Sequence, residues 1–186
     1  MIDLHRTRQR LAALVFSEAW RRRAALWGGA VVVALVAIVF AKVSDAAFHV
    51  FQRIIAHSPY WALLLTPGIF ALLAWLTAGA LRPTRGSGIP QVIAALDKPD
   101  EVFRKVNLSP AVSAGKLLLT SLSLLGGASV GREGPTVHVG ASVMYLFGRW
   151  FGFRDPRELS HFLLAGGAAG IAAAFNTPLA GIVFAI

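Results

Sequence analysis

The sequence contains no cysteine and few charged residues. Its 186 residues include 15% Asp, Glu, Lys and Arg and 56% hydrophobic residues, whereas soluble domains carry about 25% charged residues. Without cysteine, disulfides and thiolate metal sites are excluded. Charged residues are absent from long stretches, so a soluble globular class is excluded as well. The composition indicates an all-α protein that crosses a membrane several times.

Acidic residues are scarcer than basic ones, nine against eighteen, which gives a net charge of +9. The basic residues lie mainly beside apolar runs, as the positive-inside rule expects, and no RNA- or DNA-binding signature accompanies them. We therefore expect no nucleic-acid partner. Six arginines precede the first apolar run, so residues 1–25 are predicted to be a cytoplasmic N-terminal segment, either an amphipathic helix or a solvated basic tail.

Residues 26–186 are predicted to form the transmembrane domain. Ala24 to Ala41 is uncharged and long enough for a retained first span, and the mixed segment Lys42 to Ser58 is expected to continue it. Tyr60 to Leu81 is a second span with aromatic residues at its start. The remaining predictions are a charged loop at 97–107, helices at about 109–125 and 136–151, and two helices in 159–186 separated at Phe175-Asn-Thr-Pro178.

Two turns share one pattern, Gly86-Ser-Gly-Ile-Pro90 and Gly131-Arg-Glu-Gly-Pro135. Each places polar residues between glycines, with a proline where a helix begins. Helix N-termini carry free N–H groups and positive potential, which suits a small anion. Interrupted membrane helices are also typical of transporter binding sites. The pair predicts an anion site within the membrane.

Single residues near these turns have alternative readings. Ser87 is an N-cap candidate whose hydroxyl can instead bind a ligand. Glu133 can occupy the anion site when ionised and open it when protonated, unless Arg132 neutralises it in a static ion pair. Lys116 either reaches an interface or serves a buried site. His138 follows Glu133 at a spacing that fits no zinc motif, so no metal is expected.

These motifs, together with Ala173-Ala-Phe-Asn-Thr-Pro-Leu-Ala-Gly-Ile182, resemble the CLC family of chloride channels and chloride/proton exchangers. The resemblance implies broken, tilted transmembrane helices that form the first of two inverted repeats. It implies Glu133 as the gating residue and Lys116 as electrostatic support. Chloride would be bound through the Ser87 hydroxyl and through backbone amides at two sites, which are the inner site around Gly86, Gly88 and Ile89, and the outer site at Arg132, Glu133 and Gly134.

The same resemblance implies chloride transport across the cell membrane, the inner membrane in a bacterium, and no enzymatic activity or cofactor. Protons are a second possible partner, and the full-length form is expected to be a homodimer. Position 91 is Gln, where many members of the family have Glu. Leu179 to Ile186, the last predicted helix, is too short to cross a bilayer. The alternative is therefore a truncated or split-gene fragment that transports nothing without a complementary second half.

Overall fold

The computed structural model describes residues 4–97 and 100–186, and over these residues the chain is helical without any strand. The all-α prediction is thus confirmed. The eight α-helices are α1 (Leu4–His57), α2 (Trp61–Ala78), α3 (Ile89–Asp97), α4 (Glu101–Asn107), α5 (Pro110–Leu125), α6 (Glu133–Trp150), α7 (Pro156–Phe175) and α8 (Pro178–Phe184).

Helix α1 is 54 residues long and continues without interruption through the expected domain boundary at residue 25. It includes the first predicted span and the mixed segment after it, so the expected continuation of that span is confirmed. The predicted amphipathic face at the start of α1 lies on side chains that are outside the described residues. The boundary at residue 25 between a cytoplasmic segment and a membrane domain stays a prediction.

Three helices are long and apolar enough to cross a membrane, namely Ser17–His57, Trp61–Ala78 and Pro156–Phe175. A fourth span is possible if α4 and α5 count as one, since these helices meet at a 40° bend. Helix α2 has no buried residue in this chain. Its apolar side chains are suited to contact with lipid or with further protein.

The predicted loop at 97–107 is wrong, because most of it forms helix α4. Asp100 caps this helix, its carboxylate accepting a hydrogen bond of 2.8 Å from the Val102 N–H. An Asp before a short helix is a recognised start signal, but the mixed charges of the segment hid it. The charged residues of α4 include Arg104, which is 1% exposed.

Helices α6 and α7 form the centre of the structure, and α1 packs across them. The contact between α6 and α7 is made by glycines. A Cβ on Gly166 would overlap the Gly140 carbonyl of α6, and one on Gly170 would lie 2.7 Å from the Thr136 carbonyl. Such glycines let two backbones touch. The close contact fixes the start of α6 relative to the other helices.

The predicted break between the last two helices is also confirmed. Helix α7 ends at Phe175, and Asn176 follows in the left-handed conformation with φ of 52°. Asn tolerates this conformation better than most residues. Pro178 then occupies the first turn of α8, which a proline favours.

Candidate anion site between two helix termini

The two glycine-rich turns lie against each other. A Cβ on Gly134 would be 2.7 Å from the Ser87 Cβ and 2.8 Å from the Ser87 carbonyl oxygen. A Cβ on Gly88 would be 2.5 Å from the Cβ of His138, and Gly88 has a φ of 106°. Only glycine has this backbone freedom and no side chain. The starts of α3 and α6 therefore meet at backbone distance, as the shared motif pattern had indicated.

Ser87 is not the N-cap of α3, and that part of the prediction is wrong. The helix begins at Ile89, and the Gly88 carbonyl accepts the first helical hydrogen bond from the Val92 N–H at 3.1 Å. Gly88 is therefore the capping position, and Ser87 lies one residue before it. Among the described residues the Ser87 hydroxyl has no hydrogen-bond partner that would occupy it.

Ser87 lines a cavity of about 510 Å³. Both turns contribute to the wall of this cavity, and the other lining residues come from α2, α5 and the segments beside the turns. The lining residues are Leu73, Ala74, Thr77, Thr84, Arg85, Gly86, Ser87, Lys116, Leu119, Thr120, Ser123, Val130, Gly131 and Pro135. The wall thus combines apolar side chains, hydroxyls and positive charge, which suits a small anion.

Lys116 lies at this cavity and is 2% exposed. Its ammonium donates hydrogen bonds to the carbonyls of Thr84 at 3.2 Å and Gly86 at 3.1 Å. No acidic side chain pairs with it in the described part of the chain. Lys116 is therefore buried and does not reach an interface, and its service to an anion site stays a prediction. The ammonium holds the segment before Ser87 and leaves an unmatched positive charge beside the cavity.

Gln91 stabilises the same turn in a way that the sequence did not suggest. Its Nε2 donates a hydrogen bond of 2.6 Å to the Arg85 carbonyl, which closes the turn between them. In the sequence, Gln91 differs from the Glu that many members of the family have at this position. The amide supplies an N–H donor that an ionised Glu lacks, so the departure has a structural use.

Glu133 is the first residue of α6 and is half-buried. Its carboxylate folds back over Gly131, because a Cβ on Gly131 would overlap the Glu133 Oε2. The first helical N–H to find a backbone partner is that of Thr136, which donates to the Arg132 carbonyl at 3.1 Å. The amides of Glu133 and Gly134 stay unpaired within the helix, as expected at an N-terminus.

The static Arg132–Glu133 ion pair does not form. The Arg132 guanidinium turns to α1, where Nη1 donates to the Asp45 carboxylate at 2.7 Å and to the Ala41 carbonyl at 3.2 Å. Glu133 has no ion-pair partner among the described residues. Arg132 therefore does not hold the Glu133 carboxylate.

His138 is fully buried beside Gly88, and neither ring nitrogen makes a hydrogen bond in the described structure, although the Asn107 backbone lies near the ring. No group of three His, Asp or Glu side chains able to hold a metal occurs within residues 4–97 and 100–186. His138 is thus a buried side chain beside the contact of the two turns.

The structure brings Gly86, Ser87 and Lys116 to one cavity and places Gly88 and Gly134 at the contact behind it. Ile89 begins α3 next to this contact. The Arg132 side chain is turned away, so only its backbone belongs to the site. The motif pattern predicts no role for Asp45 or Gln91, because it does not identify their partners. These are the Arg132 guanidinium for Asp45 and the Arg85 carbonyl for Gln91.

The sequence also matches known proteins. A sequence model described as voltage gated chloride channel matches residues 67–186. The chain is 38% identical over 132 residues to the H(+)/Cl(-) exchange transporter ClcA of Vibrio parahaemolyticus, covering 69% of this chain and 27% of that protein. It is 32% identical over 136 residues to chloride channel protein CLC-c of Arabidopsis thaliana, covering 67% and 17%.

The chain spans about a quarter of the length of the ClcA relatives that it matches. No solved structure matches it significantly. The family match includes both glycine-rich turns, the cavity and the break before α8. The chain therefore belongs to the voltage-gated chloride channel family, CLC.

Proposed function

We propose that this chain carries chloride across a membrane through the cavity between the starts of α3 and α6, with Glu133 as the gate. The observation that supports it best is the buried Lys116, which lies without an acidic partner at a cavity shared by both turns. A buried positive charge is costly unless something compensates it. A chloride ion in the cavity would supply that compensation.

Binding would use partial charges and one full charge. The Ser87 hydroxyl and the amides of residues 86–89 form the inner site, and the amides of Arg132, Glu133 and Gly134 form the outer site. Helix termini are each worth about 0.3–1 kcal/mol when exposed and more in a drier setting. Because Lys116 is held by two carbonyls, it attracts the ion without clamping it, and the ion can leave again.

Gating follows from the position of Glu133. Its ionised carboxylate is an internal anion at a helix N-terminus, and it competes there with chloride. Protonation removes the charge and opens the site. Arg132 does not hold the carboxylate, because it is paired with Asp45. The relatives include a protein named as an exchanger and one named as a channel, so protons act either as a second transported ion or only through Glu133.

The proposed orientation places the N-terminus in the cytoplasm, with residues 1–25 as the cytoplasmic segment and 26–186 as the membrane domain. Arg23 and Asp45 are 22 residues apart on α1, about 33 Å at 1.5 Å per residue. Asp45 contacts the start of α6. The six arginines before residue 24 and the turn that carries Glu133 thus lie at distant levels along α1, about a bilayer core apart.

A second candidate is that transport requires a complementary membrane half beside this chain. Its support is the outward apolar surface of α8, where Leu179 is 77% and Val183 is 73% exposed. An apolar surface of this kind faces lipid or further protein. We also propose a homodimer for the full-length form, which would be an assembly separate from the pairing of two membrane halves.

Chloride flux in liposomes tests the proposal. Glu133→Gln and Glu133→Ala should leave a flux that no longer responds to pH, because the titrating gate is gone. Glu18→Gln, a change at an exposed acid on α1, is the matched control and should keep the normal pH response. An unchanged pH response in both Glu133 variants would refute the gate.

The two candidates are distinguished by the same assay. Flux from the reconstituted chain above that of empty vesicles supports autonomous transport. Flux that appears only after co-reconstitution with the C-terminal part of a ClcA relative supports the need for a complementary half.

A further inference from the structure

A second cavity, of about 150 Å³, lies between α4, α6 and the start of α7. It shares no lining residue with the cavity of the two turns. Its walls are formed by Glu101, Arg104, Tyr145, Arg149, Phe153, Arg154, Pro156 and Leu159. Three of these eight side chains are arginines, which is an unusual density in a chain with so few charges.

Arg104 is the buried member of this cluster. It donates Nε and Nη2 hydrogen bonds to the Ala95 carbonyl at 3.0 and 2.7 Å, one from Nη1 to the Pro156 carbonyl at 3.0 Å, and one to the Ser160 hydroxyl. A guanidinium has five N–H donors, so one Nη1 hydrogen is left at the cavity. No carboxylate pairs with Arg104 in the described part of the chain.

The one acid in the wall is already engaged. Glu101 lies 2.9 Å from the Lys105 ammonium and 3.4 Å from Arg149 Nη1. Arg154 is exposed at the rim and makes no ion pair with any described residue. The wall thus carries three positive charges against one negative charge, and that negative charge is shared with Lys105. The cavity attracts an anion.

The surroundings place this cavity at the membrane surface. Trp150 and Trp27 are 79% and 78% exposed, and exposed tryptophans are typical of the headgroup region. The two belong to one level, because a Cβ on Gly28 would lie 3.3 Å from the Phe147 ring. Arg21 lies over the Phe153 ring at 5.2 Å, so the basic start of α1 borders the cavity.

We propose that this cavity binds the phosphate of an anionic lipid headgroup. Forked guanidinium donors match the several oxygens of a phosphate better than they match a spherical ion. Basic pockets between membrane helices on the cytoplasmic side suit such headgroups. The lipid would bridge α4, α6 and α7 at the interface, apart from the chloride path, so the proposal does not depend on the proposed function.

Thermal unfolding of the detergent-solubilised protein tests the site. Short-chain phosphatidylglycerol should raise the unfolding midpoint with a saturable dependence, and phosphatidylcholine of the same chain length should not. Glycerol phosphate is the third arm, since it offers the same phosphate without acyl chains. Equal stabilisation by glycerol phosphate would still support the phosphate site and would identify a soluble phosphate ester as its ligand.

Substitutions of arginines test whether the lipid binds at this cavity. Arg154→Gln removes an exposed side chain with no ion pair in the described structure, so folding should be intact, and the apparent affinity for phosphatidylglycerol should fall about fivefold. Arg149→Gln combined with it should lower the affinity further. Arg157→Gln is the matched control, because Arg157 is an exposed arginine in the first turn of α7 that does not line the cavity.

Two outcomes would overturn the proposal. Phosphatidylcholine, whose phosphate is balanced by a choline cation, would overturn the proposal if it were as effective as phosphatidylglycerol, because the cavity would then not select an anionic headgroup. Equal losses in Arg154→Gln and Arg157→Gln would mean that net surface charge, and not this cavity, binds the lipid.

Discussion

At the scale of single residues, Gly134 determines how closely the two turns approach. Its missing side chain leaves room for Ser87, and the nearest atoms on the other side include the Ser87 backbone. Backbone cannot rotate aside as a flexible side chain can. The geometry around Ser87 therefore depends on an atom that Gly134 does not have.

Gly134→Ala should destabilise the protein by about 1–3 kcal/mol, the range for overpacking a tight contact, and should weaken chloride binding by displacing Ser87. The measurements are thermal unfolding in detergent and chloride binding by calorimetry. Gly68→Ala is the matched control, because a Cβ on Gly68 in α2 meets no atom within 4 Å. It should be neutral or stabilising by up to about 1 kcal/mol. Equal effects of the two substitutions would contradict the contact.

Lys116→Met should reduce chloride affinity more than it reduces stability. The change removes a buried charge together with its hydrogen bonds to two carbonyls, each worth about 1.5–3 kcal/mol as a charged bond. Its own desolvation cost disappears as well, which offsets part of the loss in stability. Chloride titration and unfolding of the same samples separate the two effects. Lys105→Met, at an exposed lysine of α4, should leave the chloride affinity unchanged.

At the scale of helices, the link between α1 and the start of α6 is the feature that frees Glu133. Arg132 is adjacent to Glu133 in sequence, yet its partner Asp45 is 87 positions away. The pairing depends on where α1 passes α6, which in turn depends on close packing such as that at Gly29, where a Cβ would overlap the Met144 sulfur.

Asp45→Asn should lower chloride flux at neutral pH. Arg132 loses its carboxylate partner and becomes available to hold Glu133 as a charged pair over the site. Flux through liposomes checks this, and the informative control is the double variant Asp45→Asn/Glu133→Gln, which should behave like Glu133→Gln alone. A further reduction in the double variant would show that Asp45 acts on flux independently of Glu133.

The sequence predicted the helices with long apolar runs and the turns with Gly and Pro signals. It singled out Ser87 and Lys116, which lie at one cavity, because short-range patterns carry that information. Their roles in binding an anion, and the gating role of Glu133, stay predictions. It missed α4, whose length of seven residues gives no clear periodicity. It also missed the burial of Arg104 and the Arg132–Asp45 pair, since both depend on contacts between distant segments.

At the scale of the whole molecule, α1 spans the distance between two charged levels. Six of its seven arginines lie before residue 24, and Asp45 contacts Arg132, next to Glu133, farther along. The cavity with three arginines lies at the level of Arg21, and the cavity lined by the two turns lies beyond it. The proposed orientation therefore places the two cavities at different depths of one membrane.

Single cysteines can test this orientation, because the natural chain has none to interfere. With the N-terminus in the cytoplasm, Ser58→Cys at the end of α1 should react with an impermeant maleimide on intact cells. Glu18→Cys and Arg154→Cys should react only after permeabilisation. Labelling of Glu18→Cys on intact cells, with protection of Ser58→Cys, would reverse the orientation.

The contact between Gly134 and Ser87 limits the genetic variation that is tolerated at codon 134. Every amino acid other than glycine carries a Cβ, and at Gly134 that atom would lie 2.7 Å from Ser87. No missense change in this codon is conservative, since alanine already adds the conflicting atom. Synonymous changes alone leave the protein as it is, so variation at this codon should be silent in any population whose survival depends on this protein.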